Sequence, residues 1–236
     1  MRNTELAMDL LSAIVVVPAT VTAIVTATAL LAAALLWWSL RRRAMFRSAL
    51  AQRGWQLSRT GQKTTVVPAT GDWSVTLTRS YAVQMSPPGS RVITTVWRAP
   101  TPAVQEAALI AGPAPDPELR DLAAELLGSA TAVMTRWLGI DRVSGGRPLS
   151  SVSCDERLLV FATGSYGPVG PLTDVAEAIS AWCEVYPAER EQPVMSINHA
   201  GIGVRVRTDM LRSVEQLDAF VDLGMRCRGA IGASRA

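Results

Sequence analysis

The hydrophobic pattern divides the chain into two parts of different character. From Leu10 to Leu40 there are 31 residues without a charged side chain, more than the ~20 apolar residues that span a bilayer core. A buried helix of a soluble domain is rarely so long or so apolar on every side. Trp37 and Trp38 stand shortly before Arg41, Arg42 and Arg43, an order that suits indoles at headgroup level and guanidinium groups among phosphates. Counting back ~20 residues reaches Pro18, expected in the first turn of the helix, where its missing N–H would have had no partner. The expected span is therefore Pro18 to Trp38, with Leu10 to Val17 as extra helix taken up by tilt or as an interfacial lead-in.

Beyond a short helical neck, Arg41 to Arg53, the period falls to two. Gln56 to Thr60, Lys63 to Val67 and Trp73 to Arg79 alternate, with Gly61 and Gly71-Asp72 between them, and read as antiparallel strands joined by turns. Arg91 to Arg98 is a fourth strand after the Pro87-Pro88-Gly89 turn. A helical period follows from Asp116-Pro117, with Leu119, Leu122, Ala123, Leu126 and Leu127 on one face and a second turn set, Val133 to Leu138, ending at Gly139. The stretch Asp141 to Pro148 is a loop.

Two shorter units then share one plan. Ser151 to Cys154 and Arg157 to Thr163 form a hairpin around Asp155-Glu156, followed by a helix with Val175, Ile179, Trp182 and Tyr186 on one side. Val194 to Asn198 and Gly203 to Arg207 flank a turn containing Gly201, followed by a helix with Leu217, Phe220, Val221 and Met225 inward. Ser213 and Gln216 have the spacing of a capping box, which would fix the start of that helix. The expected fold class is α+β: a single N-terminal transmembrane helix, then a soluble domain of antiparallel sheet with helices on one face, built from recurring strand-strand-helix units. The expected division is 1–17 lead-in, 18–40 transmembrane helix, 41–53 basic neck and 54–236 cytoplasmic domain.

Charge adds an orientation. Between Arg41 and Lys63 there are seven cationic side chains and no acid, whereas residues 64–236 carry 15 basic and 18 acidic ones. Arg41, Arg42, Arg43 and Arg47 flank the C-terminal end of the span, against Arg2 and the α-amino group on the other side, so the N-terminus is expected outside and the domain in the cytoplasm. A signal peptide would show a positive leading region and a shorter core; here Arg2 is opposed by Glu5 and Asp9, the core is long, and a basic cluster follows it. The pI near 9 is thus a property of the neck, which attracts anionic lipid headgroups. Nucleic-acid binding would need a basic patch on the folded domain, and the distal charge count argues against it.

Candidate chemistry is sparse. His199 is the only histidine, so a Ser-His-Asp or Cys-His mechanism would depend on it, yet it sits at an expected hairpin turn where an exposed ring is easily tolerated. No second imidazole or close thiol pair supports a metal site. Cys154, Cys183 and Cys227 are odd in number and widely spaced, and read as reduced thiols buried as small hydrophobes. Gly164, Gly167 and Gly170 join a strand to a helix and could offer N–H groups to an anion, but Pro168 and Pro171 and the lack of a lysine favour a rigid turn. Asp155 and Glu156, as neighbours, would point to opposite faces of a strand. Trp55, Trp73, Trp97, Trp137 and Trp182 are expected in the core, with one or two free to serve a partner surface.

The expected function is therefore non-catalytic: a membrane-anchored accessory or scaffold subunit that docks on a membrane protein complex, with no cofactor. Ala19, Ala23 and Ala27 recur every four residues, as do Thr22 and Thr26. Small residues at this spacing let another transmembrane helix approach closely, although Ala and Thr are also simply common in chains of this composition. The expected partners are other transmembrane helices and anionic lipid headgroups. The alternative is a membrane-tethered enzyme or small-ligand sensor using the Gly164–Gly170 loop.

Overall fold

The computed structural model describes residues 2–81, 91–100, 108–115, 149–163 and 172–233, the side chains of 2–20, 22, 23, 81, 91, 149 and 233 aside. The Pro87-Pro88-Gly89 turn, the helical stretch from Asp116 to Gly139, the loop to Pro148 and the Gly164–Gly170 connection lie outside the described residues. The chain divides into two units, Met1–Ala49 and Leu50–Ala236.

Helix α1 runs from Arg2 to Gln52, 51 residues, about 76 Å at ~1.5 Å per residue. Pro18 accordingly lies in its interior and not in its first turn. A proline removes one backbone N–H, and membrane helices tolerate that loss where neighbouring groups compensate; here the apolar run upstream of Pro18 continues as helix. The helix ends where Arg53 N–H donates to Leu50 O and Gly54 N–H to Ala51 O, with Gly54 at φ +70°, a left-handed stop that glycine adopts at little cost.

The second unit is built on a nine-stranded sheet: β1 Trp55–Thr60, β2 Lys63–Pro68, β3 Ser74–Tyr81, β4 Arg91–Ala99, β5 Leu109–Pro113, β6 Leu149–Val152, β7 Leu158–Thr163, β8 Val194–Asn198 and β9 Gly201–Val206. Their order is β1-β2-β3-β4-β9-β8-β5-β7-β6, and every neighbouring pair is antiparallel. One row of residues crosses all nine strands in register: Leu57, Val66, Val75, Trp97, Val204, Met195, Ala111, Val160 and Val152. Side chains at matched positions stand on the same face, so this apolar row is the floor of the main core. Its seven inner members are buried, and only the two edge residues are half-buried.

Two helices cover that floor. Helix α2, Thr173–Val185, lies against β5, and helix α3, Val214–Ala233, lies against β4 and β9 and packs on α2. The inward residues of α2 are Val175, Ala176, Ala178, Ile179 and Trp182. The Trp182 ring meets Phe220 of α3 edge-on at 5.9 Å and stacks on Tyr186 at 4.2 Å, while its Nε1–H donates to Glu191 O at 2.8 Å. Ser213 Oγ accepts from Gln216 N–H at 3.2 Å, the N-cap half of the expected capping box. The α+β class with antiparallel sheet and helices on one face is thus observed for the described elements, as are the two strand-strand-helix units, β6-β7-α2 and β8-β9-α3.

One strand is absent from the sequence reading, and two local expectations are corrected. Strand β5 carries no alternating pattern because both of its faces are covered: Leu109 and Ala111 face the helices, while Ile110 joins Phe161 and Ala108 in a cluster on the other face with Leu159 and Val194. It inserts between β8 and β7, separating the two hairpins that sequence places side by side. Gly201 opens β9 and is not in the turn, which consists of His199 and Ala200 and is closed by Ala200 N–H donating to Asn198 Oδ1 at 2.8 Å. Met225 is 43% exposed; the inward line of α3 runs Leu217, Phe220, Gly224, Cys227, Ile231 at spacings of three and four, which leaves 225 about 100° off the buried line.

Polar ties hold the sheet to what surrounds it. Thr95, fully buried on β4, donates its hydroxyl to Thr208 O at 2.6 Å and accepts from Met210 N–H at 3.2 Å. Arg228 of α3 makes a two-pronged pair with Asp72 in the β2–β3 turn, at 2.5 and 2.6 Å. The hydrogen bonds from Arg228 hold the Asp72 carboxyl below the usual carboxylate range. Because the folded-state value is the lower one, this pair stabilises at any pH above about 4 and its contribution disappears as the pH falls below that. Arg228→Gln is therefore expected to lower the melting temperature slightly at pH 7 and to lower it less near pH 2. An equal loss at both pH values would show that the arginine stem matters and the charge pair does not.

Candidate membrane anchor and its interface

Among the described residues one helical segment, Ile24–Gln52 near the N-terminus, is long and apolar enough to cross a membrane, and none of its apolar window is buried by protein. Among the described residues, eleven of the thirteen large apolar side chains that stand exposed lie between Val21 and Met45, the other two being Val185 and Met225. Their positions, including Ile24, Val25, Leu30, Leu31, Leu35 and Leu36, run all round the helix and leave no polar face. A helix lying in the plane of an interface would need such a face. Leaving this surface in water is costly at about 25 cal/mol per Å² of apolar area, which favours cover by lipid or another apolar helix. The interval Pro18 to Trp38 holds 21 residues, about 31 Å of helix, which matches the ~30 Å hydrocarbon core.

Two hydroxyl side chains of the apolar run bond back to the helix. Thr28 Oγ1 donates to Ile24 O at 2.7 Å, and Ser39 Oγ to Leu36 O at 2.8 Å, which satisfies each hydroxyl without water. Thr26 and Ala27 are exposed on α1. Ala19, Thr22 and Ala23 lie on the same helix, but their side chains are outside the described residues.

At the C-terminal end of the apolar run the Trp and Arg side chains stand in pairs. The Arg41 guanidinium lies over the Trp37 ring, 5.2 Å from its centre, and the Arg42 guanidinium over Trp38 at 5.6 Å. Both pairs are spaced i, i+4 and so share a helix face. Long side chains on a helix lean toward its N-terminus, which carries each guanidinium back over the indole one turn earlier. The sequence shows the Trp and Arg clusters as adjacent bands; the i, i+4 spacing within it is the signal that resolves them into two Trp–Arg pairs. Arg43 and Arg47 are exposed on the same stretch.

The candidate residues of the second unit lie in turns and core. His199 is exposed in the β8–β9 turn. Asp155, in the β6–β7 turn, accepts from the backbone N–H of Arg157 at 2.9 Å and is bridged by its guanidinium at 3.0 and 2.9 Å, which holds the Asp155 carboxyl below its ordinary range. Those contacts make Asp155 the organiser of a turn. Among the described residues no three His, Cys, Asp or Glu side chains gather as a metal group. Cys227 is buried and burial pushes its thiol up to about 12. Cys154 and Cys183 are only half-buried, with thiols raised mainly by burial; burial as a small hydrophobe therefore describes Cys227 alone. Of the five distal tryptophans, Trp97 and Trp182 are buried, Trp55 and Trp73 are half-buried and meet edge-on at 5.3 Å, and Trp137 is outside the described residues. Compared with protein-family models, with curated proteins and with solved structures, the chain matches none.

Proposed function

We propose that this chain is a non-catalytic accessory or scaffold subunit of a membrane protein complex. Helix α1 crosses the cell membrane once with the N-terminus outside, and the domain from residue 54 onward stands in the cytoplasm and docks there on a partner. The observation that carries this reading is the exposed, largely apolar surface of α1 from Ile24 to Leu40, ending in two Trp–Arg pairs. The excess of arginine on the C-terminal side of the span supports the orientation. The fourfold spacing of Ala19, Ala23 and Ala27, and of Thr22 and Thr26, supports a partner helix, because small side chains let two backbones approach.

Affinity isolation from native membranes in mild detergent, followed by mass spectrometry, tests this. Wild-type chain is expected to bring down partners in fixed stoichiometry after the membranes have been washed at alkaline pH. Ala23→Leu with Ala27→Leu is expected to reduce that recovery about five- to tenfold, the effect of losing two close helix contacts of ~0.6 kcal/mol each or somewhat more. Unchanged recovery would remove the helix-packing part, and release of the wild-type chain by the alkaline wash would remove the anchor itself. Protease added to intact spheroplasts is expected to leave the domain uncut; its digestion would reverse the orientation.

A further inference from the structure

The sheet ends on one side at β1. Among the described strands β1 has a single neighbour, β2, and Gln56, Ser58, Arg59 and Thr60 are exposed, with Trp55 and Leu57 half-buried. Two bonds fix which backbone groups face outward. Ala69 N–H donates to Gly54 O at 2.6 Å, and Arg79 N–H to Gln62 O at 3.2 Å. Along an antiparallel strand the residues bonded to one neighbour alternate with those that turn away. Gln62, Thr64 and Val66 therefore turn their backbone groups to β3, and Lys63, Thr65 and Val67 turn theirs to β1, where they meet Thr60, Ser58 and Gln56. The N–H and C=O groups of Trp55, Leu57 and Arg59 are left pointing out of the sheet. Such an edge is a template for another strand, and sheets commonly blunt it with proline, a bulge or a very short strand. β1 has no proline, and its register with β2 is unbroken from Trp55 to Thr60.

The strand is complementary to itself. Antiparallel pairing centred on Leu57 sets Leu57 against Leu57 of a second copy, and Trp55 against Arg59 in both directions. Every outward residue of each strand then bonds, giving about six hydrogen bonds. Their side chains stand on the face that carries the apolar row, so the row that ends at half-buried Leu57 runs on into the second copy. Arg59 comes opposite an aromatic residue and away from its own like charge. Sliding the strands by two residues either way leaves one outward residue of each β1 unmatched and sets Arg59 opposite Leu57 or Arg53. A slide of one residue turns the bonding groups apart and joins the apolar row to the wrong face.

We infer that β1 is a two-fold contact at which a second copy of this chain adds its own β1 in the Leu57 register, joining two sheets into one. This goes beyond the proposed function and shares only its membrane anchor. The contact is isologous, the form that closes a symmetric dimer. In it the two Trp55 residues stand about 14 Å apart, four residues along the strand at ~3.4 Å each, and each follows the end of α1 at Gln52 closely in the chain. Two neighbouring anchors can thus feed one pair of strands. Confinement to one membrane raises the effective concentration that so small a contact needs.

The test uses the full-length chain in lipid vesicles and reads oxidative cross-linking through cysteines placed in β1. Leu57→Cys is expected to give a covalent dimer as the main product, because directly opposed residues of a bonded pair have Cα atoms about 5.5 Å apart, within disulfide reach. Thr60→Cys lies on the same strand but about 20 Å from its copy in this register. That variant, and the wild-type chain with Cys154, Cys183 and Cys227, are expected to give less than about a tenth as much. Leu57→Pro removes an outward donor and no bond to β2, a position where edge strands accept proline. In chains labelled at the C-terminus it is expected to weaken association, read by energy transfer, about tenfold, the effect of losing two hydrogen bonds, with the circular dichroism unchanged. Equal cross-linking at 57 and 60, no dimer from Leu57→Cys, or unaltered association of Leu57→Pro would each overturn the inference. If a strand of a different protein takes this edge, the purified chain stays monomeric and the inference fails as well. Failure of the wild-type chain to float with the vesicles would overturn the anchor instead, and the same cross-links in mild detergent then decide the edge.

Discussion

Gly201→Ala is expected to destabilise the sheet domain by about 3–5 kcal/mol, adding left-half backbone strain of ~1–3 kcal/mol to overpacking of similar size. Gly201 opens β9 with φ +119°, and a Cβ there would stand 2.2 Å from Ala99 O and 3.0 Å from Pro100 Cα. Both obstacles are backbone, so no rotamer change can relieve them. The affected place is the end of β4, where Ala99 pairs with Ile202, at the junction that joins the first four strands to the other five. At roughly 2–4 °C per kcal/mol for a domain of this size, thermal melting of the protein in detergent should fall by about 10 °C. Gly61→Ala is the comparison, since Gly61 also has positive φ, +57°, but a Cβ there meets nothing within 4 Å. It should cost only about 1 kcal/mol. Equal losses at the two positions would show that strain alone matters and that β9 does not press on Ala99.

Gly224→Ala is expected to destabilise by about 2–3 kcal/mol, against the usual sign for this exchange in a helix. In a helix interior alanine is normally better than glycine by about 1 kcal/mol. Here the added Cβ would stand 2.3, 2.6 and 2.7 Å from Cδ2, Cε2 and Cε3 of Trp97. The ring is wholly buried within the nine-residue row, so α3 would have to lift from β4 and β9, losing contact along its inward line. Gly229 and Gly232 lie on the same helix and meet nothing within 4 Å, so Gly229→Ala and Gly232→Ala should stabilise by about 0.5–1 kcal/mol. A melting temperature lowered by about 5–10 °C in the first variant and slightly raised in the other two is the expected set. A rise in all three would mean that α3 does not rest on Trp97.

The same contrast shows how far sequence carries. Three strands of the first half were legible because each alternates: Val75 and Leu77 are buried while Thr76 between them and Thr78 beyond are only half-buried. Helix α2 was legible from Val175, Ile179 and Trp182, and the start of α3 from Ser213. Strand β5 was not, because a strand covered on both faces has no alternation and its five residues end in Gly112-Pro113. Met225 was misread for a related reason: it is apolar and four residues beyond Val221, but a helix turns 100° per residue, so repeated steps of four drift off the buried line. At the candidate site, the residue types and their order were visible in the chain. The pairing of Arg41 with Trp37 and Arg42 with Trp38 became definite only with the side-chain directions of a continuous helix.

From its residues alone, the chain determined an apolar segment long enough to cross a bilayer, an arginine band closing it, and an antiparallel α+β domain with local hairpins and a capped C-terminal helix. These follow from short-range rules, in which hydrophobic period, turn chemistry and charge act within a few residues. Tertiary structure alone decided that β4 pairs with β9, that β5 enters between β8 and β7, and that Gly201 and Gly224 carry the closest approaches. Those outcomes depend on which distant surfaces fit together, since register and packing are set jointly by every face that is buried and no local period encodes a partner far along the chain.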